Sequence, residues 1–165
     1  MKPNEEAALE LFDKAMETES EGIEIYEEAA AKAQDVKARE LFQMLAEAES
    51  RHLNIIGITK EDIRKTYSIH DWKGGFTSEV DKEIEAIGRQ HLPKLTDEVV
   101  SASALDALNM GIKVEQASIA FYSDAKTKIT DPSVASLFNI LLRSERAHLS
   151  LLELNKNDIV YPKRV

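Results

Sequence analysis

The sequence contains no cysteine. That excludes a disulfide framework, a cysteine-ligated zinc or iron–sulfur site, and a thiol nucleophile. Glycine and proline are scarce, six and four among 165 residues, so little interrupts regular structure. Positive charge is in deficit. Against 30 Asp and Glu stand 21 Lys and Arg, a net charge of −9, and phosphate binding rests on clustered cationic side chains. No stretch reaches the roughly 18 consecutive apolar residues of a membrane span. The opening residues, Met1 to Glu6, have no apolar core of the kind a secretory leader carries. These absences predict a cytoplasmic protein that engages neither nucleic acid nor membrane.

What is present favours helix. Hydrophobic residues make up 43% of the chain and charged residues 31%, and a chain of this length is expected to fold as one domain spanning 1–165. Phe12, Met16, Glu19, Ile23, Tyr26, Ala30 and Ala33 recur at alternating spacings of four and three, the stripe of an amphipathic helix. Asp35 reads as an N-cap. A second stripe follows through Ala38, Leu41, Phe42, Leu45, Glu49, His52 and Ile56, with Gly57 as its expected stop. A third stripe runs Leu105, Leu108, Ile112, Glu115, Ile119, Tyr122 and Ile129. Asp131–Pro132 then caps a fourth, through Val134, Leu137, Phe138, Leu141, Glu145, His148 and Leu152.

Two of the connections are short turns, near Gln34 and Thr130. The middle one, about residues 58–96, is long. It carries loop signals from His70 to Gly75 and a short helix candidate that starts at Ser78 with Asp81 as capping-box partner, and places Val80, Ile84 and Ile87 on one face. Four long helices with one long crossover between the second and third predict an all-α, ferritin-like four-helix bundle.

Displacing the sequence by 96 residues superposes one hairpin on the other. Glu19 falls on Glu115, Tyr26 on Tyr122, Lys32 on Lys128 and Asp35 on Asp131. Leu41-Phe42 fall on Leu137-Phe138, Glu49 on Glu145, and His52 on His148. The repeated polar residues sit on the apolar stripes. Four carboxylates facing a core would each cost several kcal/mol uncompensated and would repel one another. A pair of divalent cations resolves both problems, with the imidazoles as further ligands. In Glu49-x-x-His52 and Glu145-x-x-His148 the two side chains lie one turn apart on one face, within reach of one metal pair. A Glu from each of two helices and a Glu-x-x-His from each of the other two form the donor set of di-iron and di-manganese carboxylate bundles. The predicted metal ligands are therefore Glu19, Glu49, His52, Glu115, Glu145 and His148.

Glu19 to Tyr26 followed by Glu49-Ser50-Arg51-His52, and Glu115 to Tyr122 followed by Glu145-Arg146-Ala147-His148, resemble the rubrerythrin domain of the ferritin-like di-iron carboxylate superfamily. The resemblance covers all four helices and is weak in the crossover. It implies that Glu49 and Glu145 bridge two irons (manganese or zinc being possible), and that Glu19 with His52 completes one metal and Glu115 with His148 the other. It further implies that Tyr26 and Tyr122 each donate a hydrogen bond to the terminal carboxylate of the opposite hairpin. Two departures accompany it. Ser118 occupies a position where rubrerythrins usually carry an extra Glu, and these 165 residues hold none of the four cysteines of a rubredoxin domain.

The function implied is reduction of hydrogen peroxide or dioxygen at a non-haem di-iron site, with electrons from an external rubredoxin-like or flavoprotein donor. The alternatives are ferritin-like ferroxidase or iron handling, and a metal-binding sensor without turnover. A homodimer is expected, with hairpins exchanged between the chains or not, since each hairpin carries half of the ligand set. His70 and His91 are expected to be surface or structural histidines, and Trp72 to pack the crossover onto the bundle or onto a second subunit. Phe42, Phe138, Leu45 and Leu141 are expected in the core, and Glu17, Glu21, Glu24 and Glu47 in solvent.

Overall fold

A computed structural model describes residues 3–66, 77–88 and 102–161. Among these residues all regular structure is helical: α1 (Pro3–Lys32), α2 (Val36–Thr66), α3 (Thr77–Gly88), α4 (Ala102–Lys128) and α5 (Pro132–Val160). The four long helices form two hairpins, α1 with α2 and α4 with α5. α3 belongs to the crossover and packs mainly on α5. This is the expected all-α ferritin-like bundle. His70, Trp72 and His91 lie outside the described residues.

Both short turns are built by the predicted caps. The Asp35 carboxylate accepts the Ala38 amide at 2.8 Å. That of Asp131 accepts the amides of Ser133 at 2.9 Å and Val134 at 3.2 Å, with Pro132 at the first helical position. Each cap satisfies helix-end donors that would otherwise lack a partner.

Two expected boundaries are corrected. Gly57 does not stop α2, which continues to Thr66. Ile56, Thr59 and Ile63 prolong the buried stripe past the glycine. A helical glycine costs about 1 kcal/mol relative to alanine, whereas burying an isoleucine side chain gains about 1.5–3 kcal/mol, so the helix runs on. The crossover accordingly starts later than residue 58. Ser78 is not the cap of α3 either: the helix begins at Thr77 and Ser78 is an exposed residue within it. Asp81 pairs instead with Arg143 of α5 at 3.2 Å. The predicted apolar face of α3 is present, with Val80 buried and Ile84 and Ile87 packed on the core.

The core is two apolar clusters. One holds Phe12, Ile55, Ile56, Tyr122, Phe138 and Leu141, from the N-terminal halves of α1 and α5 and the C-terminal halves of α2 and α4. The other holds Tyr26, Leu41, Phe42, Leu45, Leu108 and Leu152, from the opposite halves. α1 therefore runs parallel to α5 and α2 parallel to α4.

A methyl group at Gly57 would meet only Met16 Cε, at 3.8 Å. Gly57→Ala should therefore raise stability by up to about 1 kcal/mol in chemical denaturation, the opposite of what a helix-terminating glycine would give. Asp131→Ala should lower stability by about 1 kcal/mol, with Asp131→Asn retaining most of it.

Candidate metal centre

Between the two apolar clusters lies a polar layer. Glu19 of α1, Glu49 and His52 of α2, Glu115 of α4, and Glu145 and His148 of α5 are all at most 3% exposed. All six residues named from the sequence meet there, because each lies midway along its helix at the point where the antiparallel hairpins cross.

The distances divide the six into two overlapping sets. Nδ1 of His52 lies 3.3 Å from Glu19, 3.2 Å from Glu49 and 3.2 Å from Glu145. Nδ1 of His148 lies 3.2 Å from Glu49, 3.7 Å from Glu115 and 3.7 Å from Glu145. Glu49 and Glu145 thus touch both histidines, whereas Glu19 and Glu115 serve one each. In each set of four, the donor atoms lie within 4.8 Å of one another. The imidazole rings stand nearly parallel with centroids 5.6 Å apart.

Each of the six residues leaves one buried polar atom without a hydrogen-bond partner. Five of these atoms belong to the side of the residues that makes up the two donor sets: an oxygen each of Glu19, Glu49, Glu115 and Glu145, and Nδ1 of His148. Buried polar groups are normally satisfied, and converging carboxylate oxygens cannot satisfy each other without protons or a cation. Oxygen and imidazole donors at this spacing suit a divalent transition metal.

Without a cation the layer balances its charge with protons. Burial, reinforced by the neighbouring carboxylates of Glu145 and Glu49, pushes the carboxyls of Glu19 and Glu115 well above their usual range. Burial would raise Glu49 and Glu145 too, but Glu49 is held below it by hydrogen bonds from Glu19 and then from the histidines, and Glu145 by those from the histidines. Burial disfavours charge on His52 and His148, yet Glu19 and Glu115 respectively, with the other carboxylates, keep the imidazoles protonated well above the ordinary histidine range.

The two tyrosines reach across the bundle. Tyr26 donates to Glu115 and Tyr122 donates to Glu19, each across to the other hairpin. Both are fully buried. Burial, then the charge of the carboxylate it serves, raises each phenol, so both remain donors. Tyr26 is admitted by Gly111, where a Cβ would lie 3.1 Å from Tyr26 Cε1 and 3.2 Å from Leu152 Cδ1. The same register in α1 holds Ala15. The buried stripe of α4 runs through Gly111 and Ser118, with the expected Ile112 and Ile119 only half-buried. Ser118 is 4% exposed, so the position of the usual extra Glu is an interior one. The acids expected in solvent, Glu17, Glu21, Glu24 and Glu47, are exposed, and Phe42, Phe138, Leu45 and Leu141 are buried in the apolar clusters.

Sequence reasoning missed Glu83. This residue of α3 lies over the histidines, with one oxygen 2.9 Å from His148 Nε2 and 3.5 Å from His52 Nε2. It also accepts from Ser144 Oγ and, at 2.9 Å, from Arg51. The available signal was its spacing: Glu83 is three residues after Val80 and four before Ile87, on the margin of the apolar face of α3. The crossover has no second copy, so the repeat could not reveal it.

Gly111→Ala should cost about 1–3 kcal/mol by overpacking against Tyr26 and Leu152, and Tyr26→Phe about 1–3 kcal/mol by stripping Glu115 of its donor. Denaturant titration of the metal-free protein checks both. A Gly111→Ala variant as stable as the parent would show that the ring has room to retreat.

A family model described as rubrerythrin matches residues 10–155, a span that takes in all six clustered residues, both tyrosines and Glu83. Neither curated protein sequences nor solved structures give a match. With the greater part of its length matched and a buried carboxylate–histidine layer at mid-bundle, the chain belongs to the rubrerythrin family.

Proposed function

We propose that Glu19, Glu49, His52, Glu115, Glu145 and His148 hold two iron ions, and that the protein uses them to reduce hydrogen peroxide or dioxygen. The observation that carries this reading is the pair of overlapping donor sets sharing Glu49 and Glu145. Such sharing suits two cations held by bridging carboxylates. Ferrous iron held by these six residues would supply the two electrons that cleavage of a peroxide O–O bond consumes.

The residues of the chain account for the rest. Four carboxylates and two neutral imidazoles carry four negative charges, which two divalent cations balance. Tyr26 and Tyr122 fix the terminal carboxylates through their hydrogen bonds, so the donor atoms are held in place before any cation arrives. With the six residues at most 3% exposed, bulk water is kept back and the setting suits small substrates such as peroxide and dioxygen. Reduction of one peroxide to two waters takes two protons from solvent and two electrons. An external donor, rubredoxin-like or flavoprotein, returns those electrons.

One observation favours a second reading. With Ser118 rather than a carboxylate at its interior position, the ligand set is symmetric, as suits a ferroxidase or iron-handling protein. Retention of many more than two irons per chain in a large assembly would support it; two irons per chain in a dimer would support the oxidant-reducing reading.

Two measurements test the proposal. Ferrous protein mixed anaerobically with hydrogen peroxide should be oxidised faster than the same concentration of free ferrous ion, and equal rates would remove the catalytic reading. Stripping the metal with a chelator should lower the melting temperature. At free metal 100-fold above Kd, each site contributes about 2.7 kcal/mol. Elemental analysis of protein purified without added metal identifies the resident ion.

A further inference from the structure

We propose that Glu83 is a positioning residue for the metal centre, a single carboxylate on the crossover helix that orients both ligand histidines and makes docking of α3 and metal uptake support each other. This rests on the reading of the six buried residues as metal ligands.

The geometry is two-sided. Both Nδ1 atoms face the glutamate layer at 3.2–3.7 Å. Both Nε2 atoms face the one oxygen of Glu83, His148 within hydrogen-bond distance at 2.9 Å and His52 at 3.5 Å. An acceptor on the Nε2 side holds the ring proton there and leaves the Nδ1 lone pair for a cation, which is how outer carboxylates set the tautomer of metal-bound histidines. His52 Nε2 has no hydrogen-bond partner, and a shift of about half an ångström would bring it onto the Glu83 oxygen as well.

Glu83 is not a surface acid that happens to lie near. Its side chain is only 9% exposed, and donors from two helices converge on it: Arg51 of α2, and Ser144 and His148 of α5. Its apolar neighbours match the layering beneath. Ile84 packs on one core cluster and Ile87 on the other, so the carboxylate is set over the polar layer between them.

The two hairpins differ where they meet α3. At the 96-residue offset the counterpart of Ser144 is Ala48, that of Arg51 is Ala147, and that of Arg143 is Glu47. Ser144 and Arg51 bind Glu83, and Arg143 binds Asp81 on the same helix. Beside a ligand set that repeats, these unmatched polar residues all engage α3. If α3 steadies the histidines for metal, a bound metal must by linkage steady α3 to the same degree.

The test compares the parent with Glu83→Gln, Asp81→Asn and Glu49→Gln. Cobalt(II) affinity is measured by chelator competition, and the 15N shifts of both histidines are recorded on the zinc(II)-loaded proteins. Glu83→Gln keeps the size of the side chain and should weaken cobalt(II) binding by about 10–100-fold and move the Nε2 resonances. Asp81→Asn loses only an exposed ion pair to α5 and should stay within about threefold of the parent. Hydrogen exchange across Thr77–Gly88 should slow on zinc(II) loading in the parent and change little in Glu83→Gln. An affinity and Nε2 shifts in Glu83→Gln equal to those of the parent would overturn the proposal, as would an equal loss in Asp81→Asn, which would reduce Glu83 to a docking contact. If Glu49→Gln also binds cobalt(II) like the parent, the fault lies in the metal-site reading itself.

Discussion

Charge placed inside an apolar bundle must be compensated, and the rest of this structure follows from that requirement. Four carboxylates stand in one layer across the middle of the core, where each alone would cost several kcal/mol. Apart from one another, the polar side chains bonded to them supply positive charge or a proton. Two histidines lie between them, and two tyrosines donate to the outer pair. The apolar clusters on either side isolate the layer from water and strengthen each of these interactions, since the low dielectric that makes an unpaired carboxylate expensive also makes a paired one firm. Each of the four carboxylates still leaves one oxygen without a hydrogen-bond partner, a deficit that a cation pair would remove.

The twofold repeat gives this layer its economy. Each hairpin contributes a terminal glutamate, a shared glutamate, a histidine and a tyrosine. Each tyrosine serves the glutamate of the opposite hairpin, so neither half is complete alone. The crossover helix breaks the symmetry. It occurs once, lies mainly on α5, and reaches the two histidines with one carboxylate. Around it the otherwise matching hairpins carry different residues: serine against alanine at 144 and 48, arginine against alanine at 51 and 147.

Much of the candidate site was legible in the sequence because a polar residue on an apolar stripe is conspicuous and a repeated one more so. Glu19, Glu49, His52, Glu115, Glu145 and His148 could be named from spacing alone, and the caps Asp35 and Asp131 from turn chemistry. Gly57 misled because glycine is a common helix terminator, and local preference carries no account of the isoleucines buried farther along α2. Glu83 escaped because an acid beside an apolar face on a short helix is ordinarily solvated. Its special status comes from what α3 is laid upon, not from its own neighbours in the chain.

The sequence by itself determined the helices, the pairing of the hairpins and the six polar side chains that had to be buried, since helical periodicity and the cost of buried charge act locally and repeat with the chain. Only the tertiary structure decided which carboxylates touch both histidines, that the tyrosines reach across rather than within their hairpins, and that α3 brings a seventh charged residue to the layer. Those outcomes depend on how helices cross and which face the crossover covers, and such geometry is set by packing among residues far apart in the chain.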